Sequence, residues 1–171
     1  MDNDQLVQQI IGATRKVFET MLGVGVSPRD QGPGPETFSP EDRVVALVGL
    51  AGARVGAGSV LCSGALARTL TGKMLMMDCP AAVNTEVLDA VGEIANMIVG
   101  SIKSDIEQRC GPIGLSTPTV VYGRDLVAHS VGQQPWTIVA FSCLEDQLLV
   151  QVYLAPDNAG HPPMVLTPRI S

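Results

Sequence analysis

The 171-residue sequence holds two histidines, His129 and His161, and four widely spaced cysteines, Cys62, Cys79, Cys110 and Cys143. No Cys-x-x-Cys occurs, and neither histidine lies near a cysteine pair, so the ligand spacing of a zinc site is missing. No Cys/His or Ser/His constellation is present either, which argues against a small-molecule enzyme built on a nucleophile–base pair. The cysteines read as reduced thiols, some of them buried as small apolar groups. Long uncharged apolar runs are also absent, so no bilayer-spanning helix is expected. No basic stretch precedes an apolar one at the amino end, so no signal peptide is expected, and the expected compartment is the cytoplasm. Basic charge is scarce: 11 Lys and Arg against 17 Asp and Glu give a net charge of −6. With a pI near 4.7, neither nucleic acid nor an anionic membrane surface is an expected partner; a protein with a cationic group at its contact site is. The run Gly56-x-Gly58 lacks the third glycine of a dinucleotide loop, because position 61 is Leu.

What is present is a globular composition, 46% hydrophobic, long enough to bury a core in one domain. Leu6, Ile10, Ala13, Val17 and Met21 recur at steps of three and four, which predicts a first helix over 4–22, capped by Asp2, Asn3 or Asp4 and ended by Gly23. Pro28, Pro33, Pro35 and Pro40 with Gly32 and Gly34 mark 24–42 as an internal mobile loop, opening on a short extended piece at 24–26. Residues 43–50 and 55–62 read as a hairpin. A helix over 64–77 follows, capped by Ser63 and broken by Asp78 and Pro80. After the longest helix come strands near 115–122, 136–143 and 147–154, with Glu145-Asp146 as the last tight turn. Trp136 and Tyr153 read as packing residues. The folded unit is expected over 1–155, with 156–171 a proline-rich, largely unstructured tail. Strands that do not alternate singly with helices exclude a doubly wound parallel sheet. The expected class is α+β: an antiparallel or mixed sheet covered on one side by two helices.

The longest helix, 85–106, organises the chain. Val87, Leu88, Val91, Ile94, Ala95, Ile98, Ile102 and Ile106 fall on one broad face. Asp89, Glu93, Asn96 and Gly100 fall in a narrow stripe opposite, at offsets of four, three and four residues. An ordinary solvated face mixes acids with bases; here Lys103 is the only base. Asn is a poor helix former, and Gly92 and Gly100 each cost about 1 kcal/mol relative to Ala in a helix interior. Glycine beside exposed polar groups suits the close approach of another backbone, so the stripe reads as a docking surface.

The run Asp89-x-x-x-Glu93-x-x-Asn96, with Gly92-Glu93-Ile94-Ala95-Asn96-Met97-Ile98 and the later Leu115-Ser116-Thr117-Pro118-Thr119-Val120, resembles the signature of the CheC/CheX/FliY chemotaxis phosphatases, and is most similar to the CheX branch. No second Glu-x-x-Asn occurs, which suits that branch, with one motif per subunit and a homodimer. Asn96 also stands slightly nearer to Pro118 than in the usual pattern. The resemblance implies hydrolysis of the aspartyl phosphate of a phosphorylated response regulator, phospho-CheY or a similar receiver domain. That partner carries the Mg²⁺; this chain would need no cofactor or metal of its own. Glu93 and Asn96 would be catalytic, Asn96 holding the attacking water through its carboxamide and Glu93 pairing with the receiver's lysine. Asp89, Gly92 and Gly100 would serve partner docking. The alternative is a non-catalytic module that docks or sequesters the receiver.

Overall fold

The computed structural model describes residues 1–30, 41–124, 126–130, 136–155 and 164–168. The chain runs α1 (Asn3–Val17), a π-helical turn (Phe18–Leu22), β1 (Ser27–Pro28), β2 (Arg43–Gly52), β3 (Gly56–Ser63), α2 (Gly64–Leu75), α3 (Thr85–Cys110), β4 (Ile113–Leu115), β5 (Thr119–Gly123), β6 (Leu126–Ser130), β7 (Thr137–Cys143), β8 (Asp146–Leu154) and β9 (Met164–Pro168). Seven strands form one sheet in the order β1-β7-β8-β3-β2-β4, with β5 beside β4 on the same edge of β2, and every pairing is antiparallel. The class is therefore α+β. The helical layer holds three helices on one face of the sheet, one more than the sequence suggested.

Alternation decides which face is which. Val44, Ala46, Val48 and Leu50 of β2, Val60 and Cys62 of β3, Val139 and Phe141 of β7, and Leu148, Val150 and Val152 of β8 all point to the helices and join one buried cluster with them. On the other face, Val45, Leu61, Ala140 and Leu149 form a smaller buried cluster. Helix α3 packs against both α1 and α2 and lies across β2, β3 and β5. Its seat on the sheet depends on Gly58, where any Cβ would run into the Val99 side chain. The glycine pair near 56–58 is thus a packing device, consistent with rejecting a nucleotide loop.

Helix ends follow their caps. Asp2 Oδ1 accepts from Gln5 N–H at 2.8 Å, and Ser63 Oγ accepts from Leu66 N–H at 3.0 Å. Helix α2 ends earlier than expected, because Met76 adopts the left-handed conformation at φ 53°. Helix α3 runs four residues further than expected, to Cys110, where Gly111 turns the chain at φ 100°.

Three further expectations change, in the strands and the tail. The strand near 115–122 is two strands, β4 and β5, parted by Ser116–Pro118. The last tight turn lies at Leu144–Glu145, both at positive φ, with Cys143 paired to Asp146. The tail is not wholly unstructured: Met164–Pro168 pairs with β6 in a separate two-stranded ribbon. Residues 31–40 of the internal loop, and 156–163 and 169–171 of the tail, lie outside the described residues. Trp136 and Tyr153 do pack together, ring centroids 5.9 Å apart.

Candidate functional site

The site is built on the outer ridge of α3. Asn84 starts the helix, its Oδ1 accepting from Val87 N–H at 3.0 Å. Glu86 stands in the first turn, where the helix dipole favours a carboxylate. Asp89 and Glu93 are exposed and Asn96 is half-buried. Immediately beneath, Val91, Ile94, Ala95 and Ile98 are buried against the sheet. The polar ridge is therefore carried by a rigid element whose rotation about its own axis is fixed by packing.

Among the described residues, no group is hydrogen-bonded or ion-paired to the side chains of Asp89, Glu93 or Asn96. Lys103, the base nearest the stripe, is occupied: its Nζ lies 2.8 Å from Glu107 Oε1. The same carboxylate accepts from Ile113 N–H at 2.8 Å. The Lys103 and Ile113 donors hold the Glu107 carboxyl below its ordinary value. Glu107 thus ties the end of α3 to β4 and engages the lysine, which leaves Glu86, Asp89 and Glu93 as a negative ridge with a neutral amide at one end. Such a surface can accept a cation at Glu93 while Asn96 both donates and accepts beside it. Among the described residues, no group of three or more His, Cys, Asp or Glu side chains could hold a metal ion.

The two glycines do not both lie on the ridge. Gly92 is buried, which corrects its expected place in a docking surface. A Cβ there would meet Val120 Cγ2 at 3.0 Å and Pro118 Cβ at 3.5 Å. What approaches closely is this chain's own, the side chains of Pro118 and Val120 at the entry to β5. Gly100 is half-exposed, and a Cβ there would touch Leu115 Cδ1 at 3.5 Å, an ordinary contact. So α3 runs alongside β4, the break and β5, with Gly92 near one end and Gly100 near the other. The structure brings Gly92 and Gly100 of α3 against the two ends of a segment that the sequence offered only as part of the resemblance, Leu115 to Val120. The signal that could have revealed this is the spacing Gly-x-x-x-Asn-x-x-x-Gly, one line of a helix surface.

No helix among the described residues is long and apolar enough to cross a membrane. The family described as chemotaxis phosphatase CheX matches residues 44–141, from β2 into β7. No curated protein matches the sequence. Among solved structures, the chemotaxis protein CheX from Vibrio vulnificus is similar at 25% identity and a TM-score of 0.76, over 88% of this chain and 99% of that one. A CheX from Desulfovibrio desulfuricans is similar at 24% identity and a TM-score of 0.73, over 88% and 99%. The CheX–CheY–BeF3–Mg²⁺ complex from Borrelia burgdorferi is similar at 19% identity and a TM-score of 0.69, over 88% and 98%. With a match over more than half its length, and the same fold in these solved structures, the chain belongs to the chemotaxis phosphatase CheX family.

Proposed function

We propose that this protein hydrolyses the aspartyl phosphate of a phosphorylated CheY-like receiver domain, with Asn96 and Glu93 as its catalytic pair. The observation that carries the reading is the pair itself: an acid and an amide three residues apart on a rigid exposed ridge, neither partnered among the described residues. Family membership and the Borrelia complex with CheY support the same partner. The receiver supplies the Mg²⁺ and the phosphoryl group, so this chain adds positioning alone. Asn96 orients the attacking water without bringing negative charge to the phosphate. Glu93 pairs with the receiver's lysine and fixes the register. Asp89, one turn earlier, supports docking electrostatically, and Gly100 leaves clearance. The working unit is a homodimer in the cytoplasm.

The test is phosphate release from phosphorylated receiver domains with wild type and two variants. Asn96→Ala should lower the single-turnover rate about 10²–10³-fold, the usual cost of one positioned hydrogen-bonding group, with little change in affinity for the phosphorylated receiver. Glu93→Ala should weaken both rate and affinity. Full activity in Asn96→Ala would sink the mechanism. Receiver binding by wild type without phosphate release would favour the docking module.

A further inference from the structure

Between β4 and β5 the chain leaves the β2 ladder for three residues, and Ser116 bridges the gap. Its N–H donates to Gly49 O at 2.9 Å, and its Oγ accepts from Gly49 N–H at 2.8 Å. The same hydroxyl donates to Thr117 O at 3.0 Å. One serine therefore satisfies both backbone groups of Gly49 and fixes the carbonyl of the next residue, just before Pro118, which has no N–H to offer the ladder.

The clamped segment lies against α3 at a definite place. Gly92, Asn96 and Gly100 fall on one line of the helix. The Gly92 position abuts Pro118 and Val120, and the Gly100 position abuts Leu115. Asn96, midway, falls opposite the break, and it is half-buried where Asp89 and Glu93 on the same ridge are exposed. We propose that Ser116 is a positioning residue for Asn96: its clamp on Gly49 holds the β4–β5 break as a fixed wall beside the Asn96 carboxamide and limits the rotamers that amide can adopt. This rests on the function proposed above for the consequence to catalysis, but not for the geometry itself. A water-orienting amide acts only in the fraction of time it holds the productive rotamer, so a loosened wall lowers turnover and leaves docking at Glu93 intact.

The experiment uses the full chain in three forms: wild type, Ser116→Ala and Ser116→Thr. Two quantities are read, the NMR order parameter of the Asn96 side-chain amide and the kinetics of receiver dephosphorylation. Ser116→Ala removes the hydroxyl acceptor and should lower Asn96 order and reduce kcat several-fold, with KM for the receiver unchanged. Ser116→Thr keeps the hydroxyl and should restore both. Gly49→Ala gives a second route if Ser116→Ala folds poorly: its Cβ would press on Ser116 Oγ at 3.3 Å and should shift Asn96 order in the same direction. Unchanged Asn96 order in Ser116→Ala, or a wild-type amide already disordered, overturns the proposal whatever the activity. An ordered wild-type amide that loses order in Ser116→Ala upholds it even where no receiver is dephosphorylated, a result that would instead count against the proposed function.

Discussion

Cys62 and Cys143 show how far surroundings set a residue's chemistry. Burial, with the carboxylate of Asp146 nearby, pushes the Cys62 thiol up to about 12 and the Cys143 thiol to about 11. Cys79 and Cys110 are exposed, and all four are free. Since the thiolate is the nucleophile, a thiol reagent at pH 8 should modify Cys79 and Cys110 in the native protein and all four only after unfolding, as counted by mass spectrometry without reductant. Modification of Cys62 as fast as Cys110 would contradict the packing. Glu93 and Asn96 were legible because a helical period places them with no knowledge of the rest of the fold. Gly92 was not, because its neighbours come from β5, distant in sequence, and a glycine carries no side chain to mark its face. The two glycines should now separate experimentally. Gly92→Ala should destabilise by roughly 1–3 kcal/mol, since the new methyl must displace Val120. Gly100→Ala should be neutral or stabilise by up to about 1 kcal/mol, as helix propensity favours Ala. Denaturant midpoints measure both.

At the scale of elements, hairpins and helices followed from alternation, caps and glycines, and the misses fall where local polarity misleads. Glu145-Asp146 reads as the turn because both residues are polar. The pairing of Cys143 with Asp146 moves the turn back by one, onto Leu144 and Glu145. Asp146 is instead used by the fold: its Oδ2 accepts from Ser63 Oγ at 2.7 Å and its Oδ1 from Gln147 N–H at 2.7 Å. Leu144 and Glu145 then hold left-handed backbone, φ 48° and 64°, a conformation that costs ordinary residues roughly 1–2 kcal/mol each. Replacing the pair by Asn-Gly, the residues this turn favours, should raise stability by about 1 kcal/mol in urea unfolding. The end of α3 carries a pH dependence of known sign. Glu107 has a lowered pKa in the folded state, so its contribution is present above the unfolded carboxyl value and is lost as pH falls through the folded one. Glu107→Gln should lower stability slightly near pH 7, where the ionised carboxylate contributes, and flatten the profile in that acidic window, as urea unfolding across pH would show.

The whole molecule poses the question of its open edges. The two hairpins of the main sheet were readable from strands joined by short connections, while the choice between an antiparallel and a mixed sheet stayed open; the pairing of β6 with β9 was not readable, because a proline-rich tail gives no alternation to read. The last strands are apolar at alternating positions and short of charge, so an exposed edge among them would be a liability. In the structure β8 is interior, between β7 and β3, and β7 has β1 on its outer side only at Ser142 and Phe141, with Arg29 N–H reaching Ala140 O at 2.9 Å. The backbone groups of Ala140 therefore point outward, and by the two-residue period so do those of Ile138. Ile138 is exposed, and among the described residues nothing pairs with its outward groups. An unguarded edge of this kind invites strand addition, and a two-fold axis would satisfy it with a second copy in antiparallel register. Light scattering at micromolar concentration should then give twice the 17.9 kDa chain mass. Ile138→Pro removes only the outward N–H and leaves the β7–β8 ladder its bonds at Val139 and Phe141. If this edge forms the interface, that variant should give the monomer mass with its secondary structure retained. A wild-type monomer would defeat the dimer outright, and a dimer that survives Ile138→Pro would move the interface away from β7.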